Sequence, residues 1–409
     1  MRGMTNSLTI GERVAWYRRR RGMSQEILAS IIGRTVDWLS KVENNRIELD
    51  RLSVIKSLAD ALDVSLGDLL AEPSLVDWTP DGGRHTVPAL RDALMDYRRI
   101  TPLGAGRQAT LEAPALVDLD RDLADMWTAY QASRFGYVVA RLPGLLARAQ
   151  SAIEVYDGDD LLSARRILGL GYQLAATQLT KLGEAELAWI AADRGLNAAR
   201  ATGNPAVAGS LYRSVTHALL SAGRYAEAVR LTEDAAGYLE PGVTKASPEF
   251  LSVYGTLFLT GSMAAACDND RATTRTFLAA ADESAKRLGC DANHLWTAFG
   301  PTNVAIHRVA TAAELGDVQV AIDLGPQLDT TPMPMERRVR HALELARAYS
   351  KRNRLDEAQA TLLEAEQLAP EQVRYHFLSR QLVLGWIRKQ RGKPSPVLVG
   401  LARRLNVLN

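Results

Sequence analysis

The sequence predicts an all-α chain in two parts, a cluster of short helices at the N-terminus and a long array of helical repeats behind it. Three observations predict this. Two short apolar segments, Ile27–Ile32 and Val36–Val42, flank the small hinge Gly33-Arg34-Thr35, with further short amphipathic segments on either side. The stretch 72–88 then loses its apolar periodicity and carries three prolines and a Gly-Gly pair. From about residue 115 onward, amphipathic helical units recur with small residues at repeated positions. With 409 residues and 47% hydrophobic content, the chain is long enough to bury more than one core.

The first element is LTIGERVAWYRRRRG, a helix with Ile10, Val14 and Tyr17 on one face and a basic run at its end. Ser24 is a good N-cap for a second helix carrying Ile27, Leu28, Ile31 and Ile32, and Gly33 ends it as a left-handed C′ residue. Thr35 caps a third helix whose Leu39 and Val42 repeat at i, i+3. LSVIKSLADALDV and SLGDLLAE supply two more, with Leu58, Leu62, Leu66, Leu69 and Leu70 as core candidates. Two short helices joined by a tight Gly-containing turn describe a helix-turn-helix, whose second helix is presented to the DNA major groove. An ordinary helical hairpin in a bundle shares that pattern. The composition of the second helix favours the groove reader, since its inner face is apolar while Val36, Asp37, Ser40 and Lys41 lie outside. Charge agrees. Residues 1–56 hold eleven Lys/Arg against six Asp/Glu, whereas 57–72 hold no basic residue and four acidic ones. Opposed faces of this kind suit phosphate binding. The whole-chain net charge of +2 argues neither way, and Arg outnumbers Lys about five to one, a coding bias that lowers the weight of any single arginine.

Residues 9–72 resemble the Cro/cI-type, xenobiotic-response-element (XRE) family of DNA-binding domains, which have the five-helix λ-repressor-like fold. The string SQEILASIIGRTVDWLSKVENNR carries the resemblance: Gln after the Ser cap, Ala29, Gly33, then Val42, Glu43 and Asn44. The resemblance implies that Gln25 bonds a phosphate at the start of the second helix, and that Asn44 and Arg46 clamp the backbone after the reading helix. Such contacts set register without reading sequence. Val36, Asp37 and Lys41 would face base edges, Val36 toward a thymine methyl, Lys41 toward guanine and Asp37 toward a cytosine amino group. For Asp37, a first-turn carboxylate favoured by the helix dipole is an equal reading. Arg34, Thr35 and Ser40 complete the expected DNA-facing set. Arg18 and Glu43 match a family pair that forms a partly buried salt bridge, which takes Arg18 off that set.

We expect a helix-turn-helix domain over 1–73, a linker with one helix (PALRDALMDYRRI) over 74–114, and a repeat domain over 115–409. The clearest unit, ALELARAYSKRNRLDEAQATLLEAEQLAP (342–370), resembles a tetratricopeptide (TPR) repeat, with Tyr349, Ala358, Ala365 and Pro370 at the repeat's spacing. YRSVTHALLSAGRYAEAVRLTEDAA (212–236) fits through Gly223, Tyr225, Ala228 and Ala235; looser units carry Gly183/Ala188 and Gly316/Ala321. The crossing alanines 188, 228, 321 and 358 imply units of about 37–47 residues, with a degenerate one near 250–289. Such units stack into a curved TPR-like α-solenoid, because none buries its apolar face alone.

There is no GxxxxGK[ST], GxSxG or HExxH, and the six histidines are scattered, so we expect no catalytic residues, no cofactor and no metal. LGLGYQ (168–173) follows no strand and is not a nucleotide loop, and Asp159-Asp160 suits a helix cap better than acid/base chemistry. Two cysteines, no apolar leader and no stretch approaching 18 uncharged apolar residues point to a cytoplasmic protein, nucleoid-associated when on DNA, with no membrane partner. The two-part architecture resembles that of peptide-responsive RRNPP-type regulators and actinobacterial XRE regulators. It implies a homodimeric transcription factor on double-stranded DNA, with a peptide, a small molecule or a partner protein as effector. On the expected concave face lie Gln173, Thr177, Arg213, His217, Asn303, Arg340 and Arg347, whose amide and guanidinium groups suit a peptide backbone and carboxylate. The paired asparagines of the peptide sensors are not recognisable. A DNA-tethered protein scaffold and an unrecognised hydrolase are the other two readings.

Overall fold

The computed structural model describes residues 8–70, 86–95, 114–389 and 393–408. Five short helices come first: α1 (Ile10–Arg20), α2 (Gln25–Ile31), α3 (Val36–Glu43), α4 (Leu52–Ala61) and α5 (Leu66–Leu70). Their ends follow the local chemistry. A capping box joins Thr9 to Glu12 at α1, Ser24 accepts from the Ile27 N–H at α2, and Thr35 accepts from the Trp38 N–H at α3. Gly33, at φ +63°, makes the left-handed turn between α2 and α3. Val14, Leu28, Leu39, Val42, Ile55, Leu58, Leu62 and Leu69 form one closed core. The Arg18–Glu43 pair is present and buried, with Nε–Oε1 at 2.5 Å and Nη2–Oε2 at 2.8 Å. It ties α1 to α3, so α3 is set by a bidentate pair as well as by apolar packing.

Most of the expected hinge 72–88 and of the 74–114 linker lies outside the described residues; α6 (Thr86–Leu94) begins inside that hinge, two residues before the expected linker helix. Thereafter helices pair as hairpins: α7 (Leu116–Gln131) with α8 (Phe135–Val155), α9 (Gly158–Lys181) with α10 (Ala185–Arg200), and α11 (Pro205–Ser221) with α12 (Tyr225–Val243). Next come α13 (Pro248–Cys267) with α14 (Arg271–Leu288), α15 (Pro301–Leu315) with α16 (Val318–Leu324), and α17 (Met335–Lys351) with α18 (Leu355–Leu368). The short α19 (Pro370–Tyr375) leads to α20 (Phe377–Lys389) and α21 (Pro396–Arg404). The first helix of each pair packs on the first helices before and after it, which gives the solenoid an inner layer of α7, α9, α11, α13, α15 and α17.

One rule generates the hairpins. Each tight turn holds one left-handed residue: Ser133, Gly183, Gly223, Asn269, Gly316 and Asn353, all at positive φ. Five residues on in four of the pairs, Ala188, Ala228, Ala321 and Ala358 are fully buried at the helix crossings. The degenerate unit near 250–289 is the α13/α14 pair, which uses Asn269 in its turn and the buried Thr274 at the crossing. The glycines of LGLGYQ lie inside α9 and serve packing: a Cβ on Gly169 would meet the Gly195 carbonyl oxygen at 3.3 Å. One sequence expectation is corrected. Residues 250–267 carry no charge, and α13 is long and apolar enough to cross a membrane, yet it is mostly buried as the solenoid's central helix.

Candidate functional site

Two regions collect the residues singled out above, and they lie on opposite sides of the N-terminal domain. On the outer side, Arg34, Thr35, Val36, Asp37, Asn44 and Arg46 are exposed, and Gln25, Ser40 and Lys41 are half-buried. Arg34 stacks over Trp38, and the Gln25 amide donates to Glu43 Oε2 at 2.7 Å, within the Arg18–Glu43 pair. Lys41 Nζ meets Asp37 Oδ2 at 2.6 Å, an i, i+4 pair in solvent. Thus the face expected to read bases is open, with one cation and one carboxylate compensating each other on its surface.

The other side docks on the solenoid rim, where the inner helices end. Arg51 donates from Nε to the Glu314 carbonyl at the end of α15 (2.7 Å) and from Nη2 to Asn269 in the α13–α14 turn (3.0 Å). Donors suit this edge, because helix C-termini leave carbonyls unsatisfied. Tyr225 reaches the Leu52 carbonyl, Arg347 the Asp50 carbonyl (2.8 Å), Lys351 the Asp50 carboxylate (2.8 Å), and Arg388 Glu12 (2.9 Å). Gln381 accepts from the Ile10 N–H at 3.0 Å. These contacts join the two parts directly, across some 170 to 370 residues of chain.

Under the docked domain lies a cavity of about 220 Å³. Its roof is Leu52, Leu66 and Leu70 of α4 and α5, and its walls come from every inner helix. Of the seven expected effector contacts, Thr177, Arg213, His217 and Arg340 line it. The other three are engaged elsewhere. Gln173 bonds the Ser210 carbonyl within the α9–α11 packing, Asn303 bonds the Ala298 carbonyl at 2.8 Å, and Arg347 is buried against Glu314 and Asp50. Sequence reasoning missed Lys181, Glu336, Arg337, His307 and His376, which line the same cavity. The available signal was their spacing: Lys181 follows Thr177 by one helical turn, and Arg340 follows Glu336 by one.

The cavity's electrostatics are uneven. Four cations, Lys181, Arg213, Arg337 and Arg340, line it against one carboxylate, Glu336. Burial pushes the Glu336 carboxyl upward, but Lys181 at 2.5 Å and Arg337 overcome this and hold it at about 2. Burial, then Arg337, lower the Arg213 guanidinium to about 10. Burial, aided by Arg337, holds His307 at about 3, and burial, aided by Arg213, keeps His217 well below its ordinary range. The apolar side of the cavity is aromatic: Trp127 and Trp296 stack with centroids 5.1 Å apart and planes 8° from parallel. Trp296 arrives on the α14–α15 connection, where Leu295, Trp296 and Ala298 all have positive φ. Among the described residues, no group of three or more His, Cys, Asp or Glu is placed to hold a metal ion.

Comparison with known proteins bears on the first region. A helix-turn-helix domain family model matches residues 9–72. No curated protein matches the chain. Among solved structures, a Rap protein complexed with competence and sporulation factor aligns over 90% of this chain and 99% of its own, at 12% identity and a TM-score of 0.48. ComR from S. thermophilus, in complex with DNA and its signalling peptide ComS, aligns over 76% of this chain and 99% of its own, at 12% identity and a TM-score of 0.23. Both likenesses are too distant to carry an argument about function. Residues 9–72 are a helix-turn-helix domain, set at the head of an all-α, TPR-like helical-repeat chain.

Proposed function

We propose that the protein is a sequence-specific transcriptional regulator of the XRE type, a cytoplasmic homodimer without enzymatic activity, whose repeat domain holds an effector beneath its DNA-binding domain. One observation carries this reading. The helix-turn-helix domain turns its reading face outward while its opposite face roofs the cavity, so a molecule in the cavity touches both domains at once. A ligand shifts an arrangement only through unequal affinity for its alternatives, and a two-domain cavity supplies that inequality directly. A peptide, a small molecule or a partner protein all fit the reading at this level.

Genomic binding-site mapping, followed by footprinting of the full-length protein, tests it. A single reading helix contacts few base pairs, so paired half-sites about one helical turn (~34 Å) apart are expected. Absence of enriched sites, or one short asymmetric footprint, refutes the dimeric regulator. A DNA-tethered scaffold is the second reading, favoured by Trp189 and Ile190, which are exposed side by side on α10. A pull-down dominated by one stoichiometric protein partner, lost in Trp189→Ala, would select it.

A further inference from the structure

The cavity contains a buried charge that no described residue meets with a hydrogen bond or an ion pair. Arg213, on α11, is 6% exposed, and its Nε is buried with no hydrogen-bond acceptor. Its guanidinium makes no hydrogen bond and no ion pair among the described residues; burial and the neighbouring cation Arg337 act against its charge and outweigh the favourable fields of Tyr130 and Glu336. The carboxylate that lines the cavity, Glu336, is already paired with Lys181 at 2.5 Å. Arg337 sits 3.8 Å from Glu336, and its own Nε lacks an acceptor. Leaving a buried guanidinium unpaired is among the least favourable arrangements a fold adopts, and a second cation beside it makes the arrangement worse. Such a site is stabilised when an anion completes it.

We infer that the cavity binds a compact organic oxyanion, its charged end on Arg213 and Arg337 and its apolar body against the Trp127–Trp296 stack, under Leu66 and Leu70 of the DNA-binding domain. The inference rests on the reading of this cavity as the effector site. The planar guanidinium offers paired donors to a carboxylate or a phosphate monoester alike. His217, kept neutral by burial and by Arg213, adds a hydrogen-bonding edge rather than a further charge. An extended peptide suits the site less well. The Gln173 amide and the Asn303 Nδ2 donor, natural partners for a peptide backbone, are engaged within the solenoid, and Leu52, Leu66 and Leu70 of the docked domain roof the groove above.

The test is calorimetric titration of the full-length protein with phenylacetate, phenyl phosphate, the neutral phenylacetamide, inorganic phosphate, and a C-terminally amidated hexapeptide. One site per chain is expected for phenylacetate or phenyl phosphate, the comparison of the two identifying the preferred oxyanion. The amide should bind at least about tenfold more weakly, and Arg213→Met should weaken the preferred anion by about tenfold or more. Ligand-free Arg213→Met is expected to melt at or above the wild-type temperature, since the unpaired charge is gone; Arg337→Met gives a second variant for the anion titration. Equal binding of acid and amide overturns the inference, as does saturable binding of neither organic anion, or inorganic phosphate binding as tightly as phenyl phosphate. A clearly lower melting temperature for Arg213→Met with anion binding retained overturns it too, by making Arg213 a structural residue. Operator gel shifts separate this inference from the reading beneath it. Anion binding with unchanged operator affinity removes the effector role and leaves the site. Operator affinity that responds to the peptide but to no anion leaves the regulator and removes the anion.

Discussion

Lys41 pairs with Asp37 on the exposed face of α3. Its pairing with Asp37 is exposed and lies along one helix, a geometry worth only about 0.3–0.5 kcal/mol. The pair is therefore easily exchanged for a base edge, and Lys41→Ala should barely alter folding while costing about 1–3 kcal/mol on the specific operator and relaxing one base position. Binding titrations on operator and on random DNA check this. Equal weakening on both would reduce Lys41 to a phosphate contact. At this scale the sequence was informative where local chemistry decides: the Ser24 and Thr35 caps, the left-handed Gly33 and the buried Arg18–Glu43 pair are all present. It was less informative for Gln173, Asn303 and Arg347. A polar residue on an inner helix bonds the neighbouring backbone or faces the groove depending on rotation within the repeat, and a one-residue change of phase swings a side chain by about 100°.

Among elements, the hairpins were legible because their signal is local. Gly183, Gly223 and Gly316 advertise left-handed turns, whereas Ser133, Asn269 and Asn353 do the same work less visibly. The α14–α15 connection was not legible. Leu295, Trp296 and Ala298 disfavour positive φ, and they hold it only because tertiary contacts demand it. Phe299 seats on Gly255, where a Cβ would lie 2.0 Å from the ring, and Asn303 bonds the Ala298 carbonyl. The docking of α1 and α4 on the solenoid was equally hidden, since its partners are separated by some 170 to 370 residues. Its polar contacts are testable. Lys351→Glu with Arg388→Glu sets like charges against Asp50 and Glu12, so amide exchange should rise over residues 45–52 and at the start of α1 while α3 keeps its protection. Unchanged exchange in both regions would show that the apolar roof alone holds the domain.

For the whole molecule, several buried groups tie stability to pH in one direction. His307, at about 3, stays neutral in the fold while the unfolded chain takes up its proton near pH 6.5; burial lowers His217, His376 and His341 as well. A folded value below the unfolded one means that the unfolded state binds more protons as pH falls, so stability declines from about pH 6.5 downward. Glu336, at about 2, adds a further loss below the ordinary carboxylate range. The melting temperature should therefore drop between pH 7 and pH 5, and His307→Asn should flatten that slope by up to about 1.4 kcal/mol per pH unit. A flat profile for the wild type would contradict the burial assigned to these rings.

The docked domain touches the α11–α12 pair through Tyr225, the α13–α14 turn through Asn269, the end of α15 through Glu314, and α17 and α20 beyond them. A body anchored to that many successive turns is a caliper laid across the coil, for it registers any change in their spacing. The relation runs both ways. If tightening of the coil around a bound molecule alters the grip on operator DNA by some factor, then operator DNA must alter the hold on that molecule by the same factor. An operator fragment added to the titration cell is thus itself a probe of the cavity, without touching it.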